Sequence, residues 1–390
     1  MNNTIKQLLF LIKSSIETTP VMIFENVDWE LLYTLAEAHN IAGTIAETVM
    51  DLQEVPEAVK SKFEQIQLQN IYLEANQDAA ANSLIKQFEL NGIDCMPLKG
   101  IILKCMYPSP EMRGMCDVDM LIRSSEIDRI RTIMYAQDFE FVVESAHEYI
   151  FKSGVVTVEL HKSLVPNYNK VLFNYYGDGW KFAKLKSNCG HIFEMPFEDF
   201  YVYELAHTAK HYLNGGISIK QIVDIWILNK SSKYMQADKA YIQNELRKLG
   251  LKRFAEIMMQ LIMAWFAGEE YTNDSKKMAN YVIASGFCDM RARAESSKVY
   301  RAASDERYVK AKIKNILAII FPTPSALMQR YKILNGKQWL YPLVVVFRWF
   351  DALLHRRGNV RKNLEGSLTS ERQIREFAEH CRQMGLQNTL

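Results

Sequence analysis

The six cysteines of this chain include no C-x2-C pair, so neither a zinc ribbon nor a thioredoxin-like dithiol follows from their positions. No apolar run reaches the length that a membrane span needs. The nearest, WLYPLVVVFRWFDALL, is broken by Arg348 and Asp351. Charge of neither sign dominates: 47 basic against 45 acidic side chains leave a formal net charge of +2. That balance gives no support for a surface given over wholly to nucleic acid or anionic lipid. Low-complexity tracts and internal repeats are also missing. The opening MNNTIKQLLFLIKSSIE is interrupted by charge too early for a secretory signal and reads as an amphipathic helix. These absences point to a cytoplasmic chain with free thiols, long enough at 390 residues for two or three subdomains.

What is present is helical toward both ends and changes character between them. Residues 1–91 carry helical periodicity, including PEAVKSKFEQIQLQNIYLEANQDAAANSLIKQFELNG, for which Gly92 is the stop. Over 92–165 the pattern shortens. IDCMPLKG reads as a strand, IILKCMY as a brief helix ended by PSPEMRG, and DVDMLIR as a second strand. SSEIDRIRTIMYAQDF follows as a helix in which Ser125 and Asp128 imitate a capping box. EFVVES, EYIFKS and VVTVELHKSL are three further strands, the last two joined at Ser153-Gly154. Helical signal returns over 166–330, with FEDFYVYELAHTAKHYL and SIKQIVDIWILNK on either side of Gly215-Gly216. Residues 331–390 hold YPLVVVFRWFDALLHRR and a polar tail. The expected fold class is α+β, a small mixed-sheet core embedded among helical regions.

Within the second strand, Asp117 and Asp119 stand two residues apart and so project to one face, while Val118 and Met120 point to the other. Two carboxylates held that close repel, and burial raises the cost. A divalent cation with a preference for oxygen, magnesium or manganese, resolves the conflict. A paired-metal site asks for a third carboxylate. Glu159 supplies a candidate: in VVTVELHKSL, Val156, Val158 and Leu160 alternate with Thr157, Glu159 and His161, which places Glu159 on the polar face.

Taken in order, PLKG, a short helix, R-x3-D-V-D-M-L-I, a helix and V-E-L-H resemble the polymerase-β-like nucleotidyltransferase superfamily. Within it, the closest resemblance is to the bacterial branch of uncharacterised nucleotidyltransferases. The likeness covers residues 92–165 and extends to YELAHTAKHYLNGGISIKQIVDIWIL. It implies a metal-dependent transfer of a nucleoside monophosphate from a nucleoside triphosphate, such as ATP, to an acceptor hydroxyl, with release of pyrophosphate. Asp117, Asp119 and Glu159 would hold Mg2+ or Mn2+, and Glu159 would help to activate the acceptor. Lys99-Gly100 falls where relatives carry a Gly-Ser pair, with Ile101 in the place of the serine. The resemblance therefore leaves phosphate binding to the Gly100 turn, to the charge of Lys99 and to Arg113, which would pair with phosphate or position Asp117. The acceptor is unspecified: a small molecule, a protein or an RNA end.

Other signals carry less. Glu204, His207 and His211 share one helical face and are candidates for a cleft wall, a separate metal site or a buried hydrogen-bonded pair. Asp224, in an apolar helix, needs a partner, for which His207 or His211 is the candidate. Cys189 and His191 are too few for a metal site, HRRGNVRK is a local basic cluster, and Arg375 to His380 has an R-x4-H ribonuclease-like spacing. The missing Gly-Ser pair motivates an alternative, a non-catalytic nucleotide- or partner-binding protein. A third reading is a toxin–antitoxin component that modifies a protein or a tRNA.

Overall fold

A computed structural model describes residues 2–167, 169–286, 341–355 and 371–386, with scattered positions between 313 and 340. Four helices come first: α1 (Asn3–Glu17), α2 (Trp29–Ala38), α3 (Ala42–Met50) and α4 (Glu57–Leu90). At 34 residues, α4 is about 51 Å long at 1.5 Å per residue. Gly92 ends it as expected, at φ 65°. The Ile93 N–H donates to the Phe88 carbonyl at 2.9 Å, the six-to-one bond of a glycine-terminated helix.

The chain then builds the sheet. Strand β1 (Cys95–Pro97) leads through the single-turn helix α5 (Gly100–Leu103) to β2 (Val118–Ile122). Helix α6 (Ile127–Ala136) and strands β3 (Glu140–Glu144), β4 (Glu148–Ser153) and β5 (Val156–His161) follow. The strand order is β1-β2-β5-β4-β3, with β2 and β5 parallel and the other neighbours antiparallel. The fold is thus α+β, a mixed five-stranded sheet among helices. One local expectation fails: α6 starts after a 3-10 turn at Ser124–Glu126 and has no side-chain cap, so Ser125 and Asp128 form no capping box.

After the sheet come α7 (Lys170–Tyr176), a short β6–β7 hairpin (Lys184–Leu185 and Phe193–Glu194), α8 (Phe197–Leu213) and α9 (Ile219–Lys230). These are followed by α10 (Ser232–Gln236), α11 (Lys239–Lys248), α12 (Lys252–Ile262) and α13 (Asn273–Ser285), then helices at Tyr341–His355 and Glu371–Gln383. None of the described helices is long and apolar enough to cross a membrane. The basic residues 356–362 lie outside the described residues.

Two apolar clusters hold the site between them. Val118, Met120, Ile122, Val158 and Leu160 pack with Leu84 and Phe88 of α4 and with Ile130 and Met134 of α6. A larger cluster joins α1–α3, through Leu8, Leu32 and Ile45, to Tyr203 of α8, Ile222 of α9 and Phe254 of α12. Period-2 alternation sends the apolar side of β2 and β5 into the first cluster. Their polar side faces the second half of the chain.

Candidate active site

Asp119 and Glu159 are direct neighbours in the parallel β2–β5 register, so their carboxylates leave the sheet on the same face. Asp117, one residue before β2, lines the same cavity of about 310 Å³. Glu148 pairs with His161 across β4–β5 and brings a fourth carboxylate. His161 Nε2 lies 2.5 Å from Asp119 Oδ1 and 3.8 Å from Glu159 Oε2. An ionised carboxylate only accepts, so the imidazole donates from Nε2. Its buried Nδ1 is left without a hydrogen-bond partner among the described residues.

Lys99 is aimed at this cluster. Its backbone sits at φ 46° and ψ −115°, a strained conformation for a side-chain-bearing residue that costs roughly 1–3 kcal/mol. Nζ is 2.8 Å from Asp119 Oδ1. Gly100 follows because space demands it: a Cβ there would stand 2.6 Å from Met115 Sδ and 2.9 Å from an Arg113 guanidinium nitrogen.

The charges set the local acidities. Burial opposes the Lys99 ammonium, yet Asp119 outweighs it and holds the pKa above the ordinary lysine range. Burial likewise opposes the Asp119 carboxylate, but Lys99 and His161 pull its pKa below the usual carboxylate range. At Glu159 the pull of Lys99 is the smaller effect. Burial, with Asp117, Glu148 and Asp119 nearby, pushes it up to about 8. Asp117 is raised too, by burial and then by Asp119.

The opposite wall is helical. Glu204, His207, Lys210 and His211 of α8 and Lys220, Gln221 and Asp224 of α9 line the cavity. His207 and His211 meet at 2.9 Å between their Nε2 atoms, so the expected histidine pair is present and also faces the cleft. Burial drives both imidazoles toward the neutral form, His211 to about 3. Neither histidine is the partner of Asp224. Arg113 takes that role, with Nε 2.7 Å from Oδ1 and Nη2 2.9 Å from Oδ2, and Tyr107 donates its hydroxyl at 2.8 Å. Arg113 therefore holds α9 against the loop before β2.

Every residue singled out for the site from sequence thus borders one cavity. The separate pair Cys189 and His191 does not; His191 instead contacts Asp94 at 2.9 Å. His147, Glu148, Lys210 and Lys220 were not foreseen. For Glu148 the signal was available, since EYIFKS starts with an acid on a strand that must pair with the one carrying Glu159.

A family model described as uncharacterised nucleotidyltransferase matches residues 25–267, from just before α2 to the end of the π-turn Met263–Ala267. The chain belongs to this nucleotidyltransferase family. No curated protein and no solved structure matches it. The match takes in all five strands of the sheet and both helices of the opposite wall, so the whole cavity lies within the nucleotidyltransferase region.

Two groups of donors in the cavity could hold a metal ion. Asp119, Glu159 and His161 offer ligand atoms all within 4.8 Å of one another, and His147, Glu148 and His161 form a second such group. Four carboxylates against Lys99 leave an excess of negative charge that a divalent cation would relieve.

Proposed function

We propose that this cavity binds a nucleoside triphosphate and transfers its nucleoside monophosphate to an acceptor hydroxyl. The observation that carries the reading is the in-register pair Asp119 and Glu159 beside Asp117, on a cavity that Lys210 and Lys220 also line. Mg2+ or Mn2+, held by Asp117, Asp119 and Glu159, would supply charge neutralisation at the phosphoryl oxygens. Glu159 is placed to take the acceptor proton, because it stands beside Asp119 on the face that lines the cavity. The acceptor oxygen forms a bond to the α-phosphorus, the bond from that phosphorus to the bridging oxygen of the β-phosphate breaks, and pyrophosphate leaves. His161, fixed by its bond to Asp119, orients that carboxylate. The acceptor class stays open among small molecules, proteins and RNA ends.

The test is thermal unfolding with each of the four ribonucleoside triphosphates, with and without Mg2+ or Mn2+, alongside a pyrophosphate-release assay. A triphosphate at 100 times its Kd stabilises the native state by about 2.7 kcal/mol. That metal-dependent shift should vanish in Asp119→Asn together with pyrophosphate release. Release that survives the substitution would remove the assignment.

A second reading, nucleotide binding without turnover, draws on one observation: the Lys99 ammonium already sits on Asp119. A triphosphate-induced shift with no pyrophosphate released from any acceptor mixture would select it.

A further inference from the structure

The two cations expected to bind phosphate are committed elsewhere, Lys99 to Asp119 and Arg113 to both oxygens of Asp224. Two other cations line the same cavity. Lys210 has no hydrogen-bond or ion-pair partner among the described residues, and Lys220 donates only to the Gly114 carbonyl at 3.3 Å. Both come from helices, Lys210 from α8 and Lys220 from α9, that line the cavity together with the carboxylates of the sheet.

We propose that Lys210 and Lys220 form a polyphosphate subsite, which holds the β- and γ-phosphates of the triphosphate and then the pyrophosphate product. This rests on the nucleotidyl-transfer reading and adds to it where the leaving group lies. An ammonium taken out of water without a counter-ion is costly, and an incoming polyanion removes that cost. The acidities agree with a site that favours an anion. Burial, and then Lys99, lowers Lys210 to about 8, while burial and then Arg113 lower Lys220. Asp119, Glu148 and Glu159 of the sheet side act on Lys210, and Asp224 of α9 and then Asp117 act on Lys220. A polyphosphate whose α-phosphate lies at the sheet side would extend its tail toward the lysines. Lys210 is flanked in sequence by His207 and His211, which burial drives toward the neutral form, so they add no competing charge.

The experiment is calorimetric titration of the full chain with inorganic tripolyphosphate in the presence of EDTA, so that no divalent ion contributes. Wild type, Lys210→Met, Lys220→Met and Lys210→Arg are compared, and their thermal unfolding is recorded without ligand. Wild type should bind, each Met variant should weaken binding at least tenfold, and Lys210→Arg should stay within about threefold of wild type. Unliganded Lys210→Met should melt at or above the wild-type temperature, since it loses a half-buried ammonium that makes no hydrogen bond or ion pair among the described residues; a purely structural lysine would give a lower value. Equal binding in the Met variants, or no tripolyphosphate binding by wild type, would overturn the subsite. Nucleotidyl transfer itself is judged by pyrophosphate release in the Asp119→Asn comparison, which does not enter this titration, so the two readings fail separately.

Discussion

Asp224 is only 4% exposed and lies in a helix that is otherwise apolar on its inner side. Such a position is tolerated because three donors satisfy it, two from Arg113 and one from Tyr107. Removal of one partner leaves the other charged and buried. Asp224→Ala should therefore cost about 3–5 kcal/mol of stability, measured by urea unfolding. The double variant Arg113→Met/Asp224→Leu should recover much of that loss, because no charge is stranded. A loss under about 1 kcal/mol for Asp224→Ala would mean that the pair contributes little to holding α9 on the loop. The pairing could not be read from sequence, since 111 residues separate the partners. His207 and His211, on the preceding helix, were the nearer candidates in sequence, yet they bond to each other instead.

At the scale of elements, the turn from β1 into α5 sets the spacing of the whole site. Gly100 lets Arg113 and Met115 approach the helix start, and Lys99 accepts strain to reach Asp119. Gly100→Ala should push the Arg113–Asp117 segment outward. The expected cost is about 1–3 kcal/mol, read as a lower Tm, with weaker triphosphate binding alongside. An unchanged Tm would show that Met115 and Arg113 yield at no cost. The sheet was the most legible element. The alternation is clearest in β5, where Val156, Val158 and Leu160 join the cluster with α4 and α6 while Glu159 and His161 line the cavity. The start of α6 was less legible: the Ser-x-x-Asp pattern exists, but the preceding 3-10 turn shifts the first helical residue to Ile127.

For the molecule as a whole, His39 ties the N-terminal helices to the site. It caps α2, is fully buried, and accepts the Ile219 N–H through Nδ1 at 3.2 Å, at the start of α9. Burial lowers its pKa from 6.5 to about 4. A depressed histidine gives stability that is fully present above pH 6.5 and is lost as pH falls through 4, on the order of 3 kcal/mol. Glu204 works in the other direction. Raised by burial and then by Asp224 to about 8, it gives stability present below pH 4.5 and lost as pH rises through 8. Urea unfolding across pH 4–9 should show both limbs. His39→Asn should flatten the acid one and Glu204→Gln the alkaline one. An acid limb unchanged in His39→Asn would exclude this contact as its source.

By itself the sequence determined the local matters: the helix stop at Gly92, the positions of the strands along the chain, and the side of its own strand that Asp119, Glu159 or His161 takes. Each depends on neighbours a few residues apart, through period-2 alternation or through the φ that glycine permits. Only the tertiary structure decided what lies opposite. A lysine on a helix reads as a solvated surface residue unless something encloses it, so Lys210 and Lys220 carried no signal until α8 and α9 closed over the sheet. The same closure turned Arg113 from phosphate toward Asp224 and Lys99 toward Asp119. Charge pairing across a cavity depends on distance through space, and sequence separation encodes that distance only within a single element.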